Sequence, residues 1–271
     1  MIAKYLRQKR AISKSLRFFL TFLFSQALFS GCGSVMNGSD APYQPSGNVS
    51  STTNPFVGAR FYINPEYVRN VEISQSGASD AMKEKMEKVK REPTAIWLDS
   101  ISTIEGTPSK MGIESHLAEA LKQQARDKNP GTPVLVTFVV YDLPDRDCSA
   151  FASNGELKIE KNGLQRYKRE YIDKIYEKLT KRADYKMIRI VTVIEPDSLP
   201  NIVTNMSMPS CAAARDTYKE GVLYAVSKLS LIENVSIYID TSHSGWLGWE
   251  YTSRAAQLYR ELFASAGLMD R

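Results

Sequence analysis

The sequence predicts an α/β fold built on a parallel β-sheet, and three observations predict it. Four short apolar runs, rich in β-branched residues and poor in charge, read as strands buried on both faces. Stretches with apolar residues at helical spacing lie between and after them. Acidic residues follow directly on the runs, where the C-terminal ends of parallel strands share one edge.

The elements follow in chain order. The apolar runs are 95–98, 134–141 (VLVTFVVY), 188–194 and 235–239. The segment 113–126 places Ile113, Leu117, Ala120 and Leu121 on one stripe. The segment 164–182 does the same with Leu164, Tyr167, Tyr171, Ile175 and Leu179, and 218–229 with Tyr218, Val222, Ala225 and Leu229. The last helical segment, 253–266, carries Leu258, Leu262 and Phe263, with Gly267 placed as its C-cap. Strands alternating with helices imply helical crossovers. A (β/α) barrel and an open doubly wound sheet both satisfy this pattern.

The 271 residues are 43% hydrophobic and 24% charged, which suits one sizeable globular domain. The net charge is +5, but Lys4, Arg7, Lys9, Arg10, Lys14 and Arg17 crowd the start of the chain and no acid precedes Asp40. Without those six charges the remainder is −1, so the body has no electrostatic footprint for nucleic acid. The basic start and the apolar run 18–29 have the order of an export signal. That run is shorter than the roughly 20 apolar residues a membrane span needs. Residues 29–32, Phe-Ser-Gly-Cys, resemble a bacterial lipoprotein cleavage box with Phe where Leu is usual. Residues 1–32 are thus read as an export signal, either with membrane anchoring through a lipid on Cys32 or with ordinary cleavage. Residues 33–53, rich in Ser, Gly, Asn and Thr, read as a flexible linker. The folded domain is 54–271. Cys148 and Cys211 remain as an even pair, to be a disulfide or two buried thiols.

Four strand ends deliver acids to one rim: Asp99 after the first run; Asp142, Asp145 and Asp147 after the second; Glu195 and Asp197 after the third; Asp240 after the fourth, followed by His243. Tyr141, Trp246 and Trp249 accompany them, with Tyr62 upstream. A single Asp after a strand is ordinarily a helix N-cap, but the combination suits a carbohydrate. Sugar rings lay apolar faces on aromatic rings, and glycoside cleavage needs a protonated carboxyl at the leaving oxygen. Two histidines, His116 and His243, make no clustered metal site. There is no Gly-x-Ser-x-Gly turn for a serine nucleophile.

Four blocks carry a resemblance to a known family: NPFVG (54–58), VVYDLPDRDCSAFASNGE (139–156), IRIVTVIEPDSLPNIVTN (188–205) and YIDTSHSGWLGW (238–249). In this order they resemble glycoside hydrolase family 6, the cellulases, and most closely its bacterial exo-acting cellobiohydrolases. The resemblance implies a distorted parallel (β/α) barrel. It also implies hydrolysis of β-1,4-glucosidic bonds in cellulose or cello-oligosaccharides with inversion, releasing cellobiose from non-reducing ends. Endo-β-1,4-glucanase action in the same family is the alternative. Asp197 matches the general acid, and Asp147 the acid that keeps the proton donor protonated and helps organise water. Tyr141 matches a tyrosine near the distorted sugar. Ser153 matches a loop serine that helps hold water. His243 and Trp246 match substrate contacts, and Asp240 a supporting acid. Tyr62 falls at an aromatic stacking position, and Asn64 beside it is carried over as a substrate contact. Cys148 and Cys211 match a family disulfide. No cofactor or metal is implied, and the complete enzyme is expected to be a secreted or cell-surface monomer. The family's chain continues beyond the Trp-Leu-Gly-Trp block with further strands and a segment bearing the candidate base. The 271 residues are therefore expected to hold an incomplete domain, and an inactive remnant is a further alternative.

Overall fold

A computed structural model describes residues 54–268. The expected export signal and linker, with Cys32, lie outside the described residues.

The first strand, β1 (Arg60–Phe61), is followed by α1 (Pro65–Gln75) and α2 (Asp80–Val89). Then come β2 (Ile96–Leu98), α3 (Ser102–Glu105), the hairpin strands β3 (Gly106–Thr107) and β4 (Lys110–Met111), and α4 (Ile113–Ala125). The long strand β5 (Val134–Val140) leads to a continuous helical stretch of α5 (Gly163–Arg166), a π-turn (Tyr167–Ile172) and α6 (Asp173–Thr180). Next are β6 (Arg189–Ile194), α7 (Ser198–Thr204), α8 (Pro209–Leu229) and β7 (Val235–Ile239), and finally α9 (Ser244–Leu247) and α10 (Thr252–Ser265).

The α/β class and the parallel sheet expected from the sequence are present. β5, β6 and β7 pair in parallel, and β1 and β2 share the other side of β5, β1 against Val134 and Leu135 and β2 against Phe138 to Val140. The sheet is open among the described residues, with β7 at one edge and β1 and β2 at the other. Its helix-covered face holds the core: Val136, Phe138, Val140, Ile190 and Ile194 pack with Leu117, Tyr171, Ile175, Tyr218 and Val222. α4 lies against β5, and α8 against β6 and β7.

The expectation that all strands are buried on both faces needs correction. It holds for β5, with six of its seven residues buried. The outer strands turn rings outward on the face away from the helices: Phe61, Trp97 (51% exposed) and Tyr238 (41%). Register puts these three on one face, because Phe61 pairs Leu135, Trp97 pairs Val139, and Val139 and Tyr238 both pair Val193.

The expected helical stripes are in the core: Leu117, Ala120, Tyr167, Tyr171, Tyr218, Val222, Ala225 and Leu229 have no exposed surface. Gly267 closes α10 with φ 65°, accepting the left-handed conformation a C-cap needs. α8 begins at Pro209, nine residues before the stripe at Tyr218, since Pro suits a first helical turn. Sequence periodicity missed α1 and α2. α2 buries no residue and is laced by charge instead, through Lys83 to Asp80 and Lys90 to Glu72 and Glu87.

α8 approaches the loop after β5 closely at Gly221, where a Cβ would stand 2.4 Å from Leu143 Cδ2 and 3.4 Å from Tyr167 Cε1. Alanine gains up to about 1 kcal/mol of helix propensity over glycine, but overpacking a filled core costs about 1–3 kcal/mol. Gly221→Ala is expected to lower the thermal midpoint in a melting experiment; an unchanged or raised midpoint would show that Leu143 can move aside.

Candidate active site

Parallel strands end on one edge, so the residues after β2, β5, β6 and β7 form a single rim. The backbone there is unusual. Asp145 (φ 52°), Asp147 (52°), Glu195 (46°), Asp197 (66°) and Ser242 (61°) are left-handed. Among the described non-glycine residues only Asn162 shares this conformation elsewhere. Each such residue costs on the order of 1–3 kcal/mol, and such residues gather where a side chain must be aimed.

After β5, the Tyr141 hydroxyl donates to Asp147 Oδ2 at 2.5 Å. Burial, then the Asp147 hydrogen bond and charge, push the Tyr141 phenol well above its ordinary range. The Arg146 guanidinium lies 4.3 Å from the centre of the Tyr141 ring. Its Nη1 donates to the Asp99 carbonyl (2.8 Å) and to the Tyr141 carbonyl, and its Nε to the Ser153 carbonyl (2.9 Å). The loop is pinned from below. Cys148 is joined to Cys211 on α8 by a disulfide, and the Tyr218 hydroxyl donates to the Asp145 carbonyl at 2.6 Å.

After β6, Asp197 stands at the head of α7, yet its side chain makes no capping bond. The ordinary N-cap reading therefore fails here, and the carboxyl is left for other work. The Asp197 N–H donates to Asp240 Oδ2 at 2.7 Å, and Asp240 Oδ1 accepts from the Ser242 N–H at 2.8 Å. Burial raises the Asp197 carboxyl above its ordinary value, the charges of Asp147 and Asp240 raise it further, and His243 opposes them.

Two buried acids lie beneath. Glu195 accepts from the N–H groups of Asp142 (3.1 Å) and Leu143 (3.2 Å) and from the Tyr167 hydroxyl (2.8 Å). Burial raises its pKa, and those bonds, all donated to it, oppose the rise and favour the ionised form. Asp142 has no exposed surface, and its Oδ2 has no partner. Burial and then the Glu195 charge push it up to about 9.

The rim gathers Tyr141, Asp147, Asp197, Asp240 and His243. Ser153 is exposed on a short turn beside Arg146, whose Nε its carbonyl accepts. His243 is exposed, and its Nδ1 accepts from the Gly245 N–H at 3.2 Å. Trp246 is half-buried, donates through Nε1 to Thr204 Oγ1 (2.8 Å) and lies 6.4 Å from the His243 ring. Two expected substrate contacts need correction. Tyr62 is 2% exposed, its hydroxyl 3.0 Å from His116 Nδ1 in the core, so its ring offers no face to a sugar. Asn64 is buried and caps α1, accepting from the Glu66 N–H at 2.9 Å.

Sequence reasoning missed Trp97, whose exposed ring stands edge-on to Tyr141 with centroids 5.3 Å apart. The alternation of Ile96, Trp97 and Leu98 could have found it, because neighbours on a strand face opposite ways. It also gave no role to Arg146, and it set Asp142 and Glu195 among the rim acids, whereas both are buried beneath the rim. Among the described residues no three His, Cys, Asp or Glu side chains are grouped to hold a metal.

The buried acids predict a pH dependence of stability. A native carboxyl with a raised pKa holds its proton where the unfolded chain has lost it. Stability is then greatest below the ordinary value of about 4 and falls as pH rises through the native value. For Asp142 the fall runs from about pH 4 to about 9. Asp142→Asn is expected to flatten the upper part of the decline, measured by denaturant unfolding between pH 5 and 9. An equally steep decline in the variant would assign it to other groups.

Comparison with known proteins bears on the family and the fold. The model of the family Glycosyl hydrolases family 6 matches residues 56–271. Exoglucanase A of Cellulomonas fimi is 46% identical over 215 residues, 78% of this chain and 24% of that protein. The catalytic domain of Cellulomonas fimi Cel6B superposes with a TM-score of 0.72 at 46% identity, covering 78% of this chain and 47% of that one. A CcCel6A catalytic domain complexed with p-nitrophenyl beta-D-cellotrioside superposes with a TM-score of 0.71 at 42% identity, covering 80% and 57%. The chain thus spans less than two thirds of each of these relatives. Matched along most of its folded length in both sequence and backbone, the chain belongs to glycosyl hydrolase family 6.

Proposed function

We propose that this chain carries the acid half of a cellulase site that hydrolyses β-1,4-glucosidic bonds with inversion and releases cellobiose from non-reducing chain ends. The observation that carries the reading is Asp197, held by left-handed backbone at the rim, free of any capping bond, with its carboxyl raised by burial, Asp147 and Asp240. A carboxyl raised above its ordinary value holds its proton more readily, which suits a general acid. In this reading Asp197 gives its proton to the leaving glycosidic oxygen as the bond to the anomeric carbon breaks. Water attacks that carbon from the opposite face and gives a proton to a general base as its oxygen bonds.

Asp147 disfavours ionisation of Asp197 and helps organise the water. Tyr141, bonded to Asp147, stands beside the distorted sugar, and Ser153 helps hold the water from its loop. Asp240 supports the Asp197 turn through its backbone. His243 and Trp246 contact the sugar chain, and the exposed Trp97 ring offers it a further apolar face. Relatives named for exoglucanase and cellobiohydrolase activity, and the relative holding a cellotrioside, support this substrate. Residues 1–32 fit the same reading as an export signal, with Cys32 as the lipid attachment of a cell-surface form.

In the protein carrying this domain, Asp197→Asn is expected to lower hydrolysis of cello-oligosaccharides by roughly 10²–10⁴-fold, the usual share of general acid help. Activity should fall as pH rises through the raised Asp197 pKa, and Asp147→Asn should move that limb to lower pH. Undiminished turnover by Asp197→Asn would remove the assignment. For stereochemistry, proton NMR of the first product should show the α-anomer; an initial β-anomer would mean retention.

A further inference from the structure

Glu195 joins two loops that belong to different strands. Its side chain is buried, with both oxygens engaged: Oε1 accepts from the Asp142 N–H and the Tyr167 hydroxyl, and Oε2 from the Leu143 N–H. Its backbone starts the turn that aims Asp197. The Glu195 N–H donates to the Val140 carbonyl at 2.8 Å, and its carbonyl accepts from the Ser198 N–H (3.2 Å) and Ser198 Oγ (2.6 Å). Burying a carboxylate is costly without compensation. A role in packing alone would be met better by an apolar side chain of similar volume. Two successive amides aimed at two oxygens instead call for a carboxylate.

We propose that Glu195 is a positioning residue: its carboxylate holds the 141–147 loop against the turn that aims Asp197, and so sets the approach of Asp147 to Asp197. Its catalytic consequence rests on the hydrolase reading above; the spacing it sets is measurable without turnover. The groups facing Asp197 are Tyr141 and Asp147 from the loop after β5 and Asp240 and His243 from the segment after β7. Those facing Glu195 are Asp142 and Arg146 from the loop, Tyr167 and Tyr171 from the π-turn and Tyr218 from α8. Glutamine at 195 has nearly the same shape but must present an NH₂ to one of the two amides, which pushes the loop away. With Asp147 more distant, the Asp197 carboxyl loses part of what raises it.

The experiment is a carbon-13 NMR titration of the aspartate carboxyls in the wild-type protein, Glu195→Gln and Asp147→Asn. The Asp197 midpoint is expected to fall in Glu195→Gln toward the ordinary value of about 3.9, in the same direction as in Asp147→Asn. A wild-type midpoint in a folded Glu195→Gln, even one with a lowered melting temperature, would overturn the proposal, since lost packing alone leaves the pair undisturbed. Should that variant not fold, hydrogen exchange of the wild-type protein decides: the amides of Asp142 and Leu143 are expected to be protected, and unprotected amides would overturn the clamp. Where the wild-type protein hydrolyses cello-oligosaccharides, Glu195→Gln should lower kcat by on the order of 10²-fold with KM nearly unchanged. A moved midpoint without wild-type turnover would leave the clamp standing and remove the hydrolase reading. Turnover with an unmoved midpoint would do the reverse.

Discussion

The parallel pairing of β5 with β6 is the constraint on which the site depends. Val140 stands opposite Ile194, so the two strands run out together, and the residues that follow, Tyr141 and Glu195, emerge side by side. The ladder continues one step beyond the strands, where the Glu195 N–H reaches the Val140 carbonyl. From there the chains diverge into two loops, one carrying Asp147 and the other Asp197. A slip of one residue would exchange the faces of β6 and carry Thr192, buried in the helix-covered layer, to the other side. Ile190 and Ile194 in the core hold the register against that slip.

Around this junction the protein holds groups that are individually unfavourable. Five left-handed non-glycine residues and two buried acids lie within a few residues of the strand ends. Their cost is offset by bonds from the scaffold. The π-turn contributes here because its two tyrosines reach different parts of the rim: the Tyr167 hydroxyl meets Glu195, while the Tyr171 hydroxyl meets the Leu98 carbonyl and the Tyr141 N–H. α8 ties the Asp147 loop through Cys211, Ser210 and Tyr218. An acid kept partly out of water beside other acids favours its proton, so the scaffold bonds have an electrostatic result at Asp197.

The two faces of the sheet divide the labour. The helix-covered face supplies stability through large buried side chains such as Phe138 and Tyr171. The opposite face carries exposed rings, and Trp97 belongs to it. One strand can thus contribute Ile96 and Leu98 to the core while its central residue stands beside Tyr141 at the rim.

The sequence by itself determined the four main strands, the helical stripes that cover them and the edge at which the acids gather. These follow from local periodicity and from the rule that parallel strands end together. Family resemblance added the pairing of Cys148 with Cys211, which the structure contains. What only the tertiary structure decided was direction. Phe61 and Tyr62 are adjacent aromatics, and sequence cannot say which one turns inward. The pairing of β1 with β5, continued by the Tyr62 N–H to the Leu135 carbonyl, points Tyr62 toward His116 and leaves Phe61 outside. Asn64 became a helix cap because α1, a helix with only one buried residue, starts immediately after it. Glu195 and Asp197 are two residues apart in one short motif, yet one is sealed beneath the loop after β5 and the other opens onto the rim. Left-handed backbone at both positions produces that division, and it is held by contacts with segments more than forty residues away in the chain.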